Sequence, residues 1–208
     1  MKARELLKEA TVLKKKGKIE EAIKVLDRAF LIGDLERPST NSNSDENTQE
    51  FNNFYTVEDL VRKAKYLQEL GKINDALNFL DNLIDEITKK TRKNVWEIFE
   101  LGKLFQHRAI ILKKEKRFNE SFVDRVKSYC IDGIATRLTV TKLDTNRIKN
   151  IIINKTNQKF ILDFFKRDLE KLSFKIDQFR LAGFIMKTIM FENNSDKILK
   201  NINNYIKY

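Results

Sequence analysis

The sequence predicts an all-α protein in which antiparallel helical hairpins continue into a further helical region. The chain has 208 residues but only one Pro and six Gly, so few residues interrupt helices. Apolar side chains recur at intervals of three and four residues along most of the chain, which is typical of amphipathic helices. One pattern, at residues 6–30, returns at residues 60–84, and this recurrence predicts a repeated pair of helices.

The first copy consists of two apolar faces separated by Gly17. Gly17 follows three lysines and can adopt the positive φ that ends a helix. The apolar positions of this copy are Leu6, Ala10, Leu13, Ile19, Ala22, Ile23, Leu26 and Phe30. The second copy repeats them around Gly71 with Leu60, Ala64, Leu67, Ile73, Ala76, Leu77, Leu80 and Ile84. Paired alanines allow two helices to approach closely, so each copy predicts an antiparallel hairpin.

These positions resemble the tetratricopeptide repeat (TPR), which places a small residue, a turn glycine, an apolar residue, an alanine and a large apolar residue in this order. The matching residues are Ala10, Gly17, Ile19, Ala22 and Leu26, then Ala64, Gly71, Ile73, Ala76 and Leu80. A third, weaker copy uses Ala109, Lys116, Phe118, Ser121 and Arg125. The tryptophan and the closing proline of the family are absent from all copies, and an ordinary helical bundle with two similar hairpins is the alternative.

The chain is predicted to consist of four segments. Residues 1–34 form the first hairpin, residues 35–55 a flexible polar insertion, residues 56–138 the second and third hairpins, and residues 139–208 a basic helical region with a terminal capping helix. The insertion is predicted because Gly17 and Gly71 lie 54 residues apart, whereas contiguous repeats would separate them by about 34.

Side chains that can cap helices mark several predicted starts. Thr56 with Asp59 resembles a capping box, and Thr156, Ser173 and Ser195 are the candidates further along the chain. For residues 138–154 we expect a turn near Asp144 followed by a helix, with a small β-ribbon as the alternative.

The positive charge is concentrated in the second part of the chain. Residues 1–90 carry 16 Lys and Arg against 17 Asp and Glu, whereas residues 91–208 carry 25 against 13, a net charge of +12. This asymmetry suggests an acidic partner or nucleic acid. A basic surface that is only solvated is the alternative.

Catalytic, metal and cofactor motifs are absent from the sequence. The glycines are isolated, so they form no phosphate-binding loop, and the single His107 and single Cys130 lack partners at the spacing of a metal site. We therefore expect a protein that is not an enzyme and needs no cofactor. No apolar run approaches the roughly 20 residues of a membrane span, and the N-terminus has no secretory signal, so a cytoplasmic location is expected.

The resemblance implies that the inner face of the hairpins binds a peptide. This face would comprise Arg4, Leu7, Thr11, Lys14, Val61, Lys65, Gln68, Lys103, Gln106, Ile110 and Lys113. Because the set is partly apolar and partly basic, we expect an acidic or amphipathic segment of another protein as the partner. The favoured function is therefore that of a non-catalytic scaffold or adaptor.

Nucleic-acid binding is the alternative function. Basic side chains that could neutralise phosphates form two groups, Lys113, Lys114, Lys116 and Arg117, then Lys166, Arg167, Lys171 and Lys175. Phe160, Phe164 and Phe165 follow helical intervals and are predicted to be core residues rather than platforms for bases.

Overall fold

The computed structural model describes residues 3–35, 56–90, 93–139 and 145–207. Over these residues the chain forms α-helices and no β-strand, which confirms the predicted all-α class. The helices are α1 (Ala3–Lys15), α2 (Ile19–Leu35), α3 (Val57–Glu69), α4 (Ile73–Thr88), α5 (Val95–Lys114), α6 (Phe118–Thr139), α7 (Thr145–Lys155), α8 (Gln158–Leu169), α9 (Gln178–Phe191) and α10 (Ser195–Tyr205).

The chain divides into two compact units, unit 1 (Met1–Phe79) and unit 2 (Leu80–Tyr208). The division therefore falls within α4, whereas the sequence placed its boundaries at residues 34, 55 and 138. The predicted polar insertion, apart from the end of α2, lies outside the described residues.

Three connections between consecutive helices have the same turn geometry. Gly17 after α1 and Gly71 after α3 have φ values of 76° and 73°, and Lys116 after α5 has a φ of 60°. In each turn the next residue donates its N–H to a carbonyl in the last turn of the preceding helix. These bonds join Lys18 to Leu13 at 3.0 Å, Lys72 to Leu67 at 2.9 Å and Arg117 to Leu112 at 2.9 Å. Since this bond closes a helix C-terminus, the third copy makes the same turn without a glycine.

Small residues are buried at the positions that the repeat pattern marks as helix crossings. The predicted alanines are at most 1% exposed: Ala10, Ala22, Ala64 and Ala76. In the third copy, Ala109 and Ser121 take the corresponding positions on α5 and α6. Ser121 is buried, and its hydroxyl donates a hydrogen bond of 2.8 Å to the Ala109 carbonyl. A serine is tolerated at this crossing because its polar group has a partner.

Unit 1 has an apolar core to which α1, α2 and α3 all contribute. Its buried members are Leu6, Leu7, Ala10, Ala22, Val25, Leu26, Ala29, Phe30 and Tyr66. Hydrogen bonds from α3 reinforce this packing. Arg62 Nη1 donates to the Leu7 carbonyl at 3.2 Å and to Thr11 Oγ1 at 3.0 Å, and Lys63 Nζ donates to Asp27 Oδ1 at 2.5 Å.

Unit 2 is organised around α6, which packs against α5 and also against α8, α9 and α10. The core shared with the last three helices contains Phe122, Val126, Tyr129, Cys130, Ile134, Ile161, Phe165, Leu181, Ile185, Ile189, Ile198 and Ile202. Gly133 lies at the contact with α9, where a Cβ would come within 2.9 Å of Ile189 Cδ1. A side chain at position 133 would therefore displace Ile189 from its place between α6 and α9.

The helices after α6 begin at different residues from those predicted. α7 confirms the helix predicted after Asp144, while the predicted turn near Asp144 lies outside the described residues. Thr156, Ser173 and Ser195 are not the caps. The side chains of Asn157, Asp177 and Asn194 accept the first N–H groups of α8, α9 and α10 instead. Asn and Asp compete well for this position. The predicted capping box of Thr56 and Asp59 is confirmed.

Candidate functional site

Unit 1 contains seven of the predicted inner-face residues, and two of them are not accessible. Leu7 is 8% exposed and Val61 is 1% exposed, so both contribute to the interior rather than to a binding surface. This corrects the prediction, and the reason is that an apolar side chain gains more from helix packing than from a solvent-facing groove. Thr11 and Lys14 have partners within unit 1, and Arg4, Lys65 and Gln68 retain partial or full exposure.

Unit 2 contains the other four predicted inner-face residues, all on α5. Lys103 and Gln106 line a cleft of about 490 Å³. Ile110 is 44% exposed, and Lys113 Nζ forms an ion pair with Asp168 at 2.9 Å. Lys103 and Gln106 are therefore the part of the predicted face that lies at a concave surface of unit 2.

Four helices form this cleft, which we call the α5–α8 cleft. Its walls include Lys103 and Gln106 from α5, Arg125, Tyr129 and Asp132 from α6, Ile151 and Lys155 from α7, and Phe160 and Phe164 from α8. A concave site with mostly apolar walls and a few placed charges is the usual form of a ligand site.

Aromatic side chains form one wall of the α5–α8 cleft. The ring of Phe164 lies 4.8 Å from that of Tyr129 and 4.9 Å from that of Phe165. Phe165 is fully buried as predicted, but Phe160 is 44% and Phe164 is 42% exposed. The prediction that all three are core residues is therefore wrong for Phe160 and Phe164, because the outer side of α8 is left open at the cleft.

Arg125 is the charged centre of the cleft. It forms an ion pair with the buried Asp168, which also pairs with Lys113. Its guanidinium lies 4.8 Å from the centroid of the Phe164 ring, a favourable position for a cation over an aromatic face. The side chain is 28% exposed, so it remains within reach of a ligand.

Lys155, at the end of α7, is a further cation of this cleft, and it contacts residues of α6. Its ammonium group pairs with Asp132 and lies 5.2 Å from the Tyr129 ring centroid. The Tyr129 hydroxyl donates to the Lys155 carbonyl at 3.3 Å. Burial raises the pKa of this hydroxyl above its ordinary value, so Tyr129 stays neutral and acts as a hydrogen-bond donor.

The sequence reasoning assigned neither Arg125 on α6 nor Ile151 and Lys155 on α7 to a site, and α7 lies outside the repeat pattern. Arg125 did carry a signal, since it replaces the buried leucines Leu26 and Leu80 at the same repeat position. A charged residue at a position that is otherwise apolar indicates that this helix faces a polar environment. Ile151 and Lys155 carried no such signal.

The fold brings the two predicted basic groups together at one end of unit 2. Lys113 pairs with Asp168, and Lys171 Nζ lies 5.1 Å from the Phe118 ring centroid. Asn119 is hydrogen-bonded to Ser173 through both its amide nitrogen and its carbonyl oxygen. Some charges are locally neutralised, as Arg117 pairs with Glu120 at 2.5 Å. Lys116, Lys166, Arg167 and Lys175 are exposed.

The buried charges of unit 2 are structural. Arg108 donates to Asp124 at 2.7 and 2.8 Å and also bonds Asp81, which links α4, α5 and α6. Burial alone would lower the pKa of Arg108, but the hydrogen bonds and charges of these two carboxylates outweigh burial and raise it.

Cys130, the single cysteine of the chain, lies in the interior of unit 2. Burial raises the pKa of the Cys130 thiol to about 12, so the thiol is protonated and unreactive at neutral pH. Within the described ranges, the His, Cys, Asp and Glu side chains form no group that could hold a metal ion.

The site therefore belongs to an all-α protein of helical hairpins with a mixed apolar and basic cleft. Neither family models, nor curated proteins, nor solved structures give a match to this chain. None of the described helices combines the length and the apolar character needed to cross a membrane.

Proposed function

We propose that the protein is a non-catalytic interaction scaffold or adaptor of the TPR-like type, which binds a segment of another protein in the α5–α8 cleft. The observation that carries this proposal is that Lys103 and Gln106, two predicted inner-face residues, line a cleft together with the exposed Phe160 and Phe164. Exposed aromatic side chains beside cationic ones are typical of protein-binding surfaces.

The TPR-like assignment is supported by three turns of one geometry and by small buried residues at the equivalent repeat positions of the three copies. Because a repeat scaffold serves many activities, the choice of function depends on the cleft and not on the hairpins. The cytoplasmic location stays a prediction from the sequence.

A capture experiment tests this function. The immobilised full chain is compared with Phe160→Glu, which places a charge on the cleft wall, and with Phe179→Glu as the matched control. Phe179 is 69% exposed on α9 and does not line the cleft. From a cell lysate, we expect the Phe160→Glu variant to lose proteins that the control variant still captures. Treating the lysate with nuclease should not change this result. Equal capture by both variants would contradict the proposal.

Nucleic-acid binding is the second candidate, because the two basic groups meet at one end of unit 2. Reversing Lys166, Lys171 and Lys175 to Glu should then weaken binding of an RNA or DNA oligonucleotide, and binding should fall steeply with salt. Reversing Lys187, Lys200 and Lys207 changes the net charge equally and is the control. A similar loss in both triple variants would show that only net charge matters and would reject a defined surface.

A further inference from the structure

The α5–α8 cleft contains more cationic than anionic side chains. Lys103, Arg125 and Lys155 line it together with one carboxylate, that of Asp132. Behind the wall, the single carboxylate of Asp168 is shared between Arg125 and Lys113. The local excess of positive charge therefore favours an anionic group in the cleft.

Arg125 retains hydrogen-bonding capacity while its position is fixed. An arginine has five N–H donors, and Arg125 uses Nη1 to bond Asp168. Its other N–H groups make no hydrogen bond to the described residues. The ion pair and the Phe164 ring hold the guanidinium in place, so binding a carboxylate there costs little additional side-chain entropy.

Lys155 provides a second cationic group that can bind an anion near the same aromatic wall. Its ammonium group has three N–H donors and pairs with Asp132, whose side chain is 45% exposed. The lysine side chain is 16% exposed, and water can solvate the half-exposed Asp132 carboxylate when another carboxylate takes its place. A carboxylate from a ligand can therefore compete with Asp132 for Lys155.

We infer that the α5–α8 cleft binds an acidic amphipathic segment of a partner protein. An apolar side chain of this segment packs against Phe160 and Phe164, and neighbouring carboxylates bind Arg125 and Lys155. This inference rests on the proposed function and specifies the chemistry of its partner. A neutral or basic segment fits less well, because it would cover the Arg125 donors without supplying a negatively charged acceptor.

Three synthetic helical peptides test the charge preference. They share the same Leu and Phe positions, and their polar faces carry Glu, Gln or Lys. Fluorescence anisotropy with the full chain should give the tightest binding for the Glu peptide, about tenfold tighter than for the Gln peptide, as one charge-assisted hydrogen bond provides. The Lys peptide should bind most weakly. Equal binding of all three peptides would overturn the inference.

Substitutions at Lys155 and Asp132 test the site itself. Lys155→Gln should weaken binding of the Glu peptide about tenfold, whereas Lys187→Gln, which removes the same charge from the exposed side of α9, should not. Asp132→Asn should strengthen binding of the Glu peptide because it removes the internal competitor. A gain of affinity cannot arise from unfolding. Equal effects of Lys155→Gln and Lys187→Gln, or weaker binding by Asp132→Asn, would refute the assignment.

Failure of this inference differs from failure of the proposed function. If the Gln peptide binds as tightly as the Glu peptide and Phe160→Ala weakens both, cleft binding stands and the anionic preference is wrong. If no peptide binds and Phe160→Glu leaves protein capture unchanged, the proposed function is wrong as well. An RNA oligonucleotide or a small aryl carboxylate that occupies the cleft and excludes the peptides would also overturn the inference.

Discussion

Replacing Lys116 by glycine should stabilise unit 2. Lys116 has a φ of 60°, in the left-handed region, where the equivalent turns have Gly17 and Gly71. A residue with a Cβ pays about 1–2 kcal/mol for this conformation. Glycine removes that cost but adds about 0.4–1 kcal/mol of conformational freedom to the unfolded chain. The net expectation for Lys116→Gly is a gain of about 0.5–1 kcal/mol in the free energy of unfolding.

Urea unfolding followed by far-UV circular dichroism and by the fluorescence of Trp96 measures this change. Trp96 is the only tryptophan of the chain and lies on α5, so its signal reports on unit 2. Lys116→Gln is the control for the lost charge, because it keeps a Cβ at the same φ and should leave stability nearly unchanged.

A substitution in the opposite sense, from glycine to alanine at the equivalent turn of unit 1, provides an independent check. Gly71→Ala should destabilise the protein by about 1 kcal/mol, and this cost belongs to the backbone alone, because an added Cβ meets no atom within 4 Å. If Lys116→Gly is neutral or destabilising while Gly71→Ala costs stability as expected, then position 116 is not held in the left-handed conformation.

Three further predictions follow from buried groups. Ala76→Leu should lower the free energy of unfolding by about 1–3 kcal/mol because the larger side chain overpacks a buried position. Asn74→Leu, at an exposed position of the same helix, should not. Equal melting temperatures of the two variants would contradict the close packing of α4 at Ala76. Asp124→Asn should cost about 3 kcal/mol in urea unfolding, since it breaks a buried pair with Arg108, and a change below 1 kcal/mol would refute this pairing. Cys130 should react with a thiol reagent at the rate at which unit 2 unfolds, because it is fully buried; rapid labelling of the native chain would show that it is accessible.

The local features of the hairpins were predictable because they depend on single residues with strong preferences. Gly17 and Gly71 favour the left-handed turn, and the alanines allow close helix packing. Lys116 has no such preference, yet it makes the same turn because the packing of α5 on α6 overrides the local cost. The sequence therefore described the third copy less well than the first two.

The cleft was only partly predictable because its residues come from separate helices. Lys103 and Gln106 follow from the repeat register, whereas Arg125, Lys155 and Phe164 meet only when α7 and α8 fold back on α6. Helical periodicity identified α8 as amphipathic, but it could not show which apolar side chains a neighbouring helix leaves uncovered. The resemblance assigned Leu7 and Val61 to the inner binding face, although both side chains are buried.

The double-sided packing of α6 has a consequence for synthesis on the ribosome. Phe122, Val126 and Ile134 are covered by residues of α8, α9 and α10, which leave the ribosome after α5 and α6. The hairpin of α5 and α6 can form early, but its outer apolar face stays exposed to water until α10 has been made. During this interval the nascent chain is open to aggregation, so slow translation through residues 140–205 should increase its dependence on chaperones.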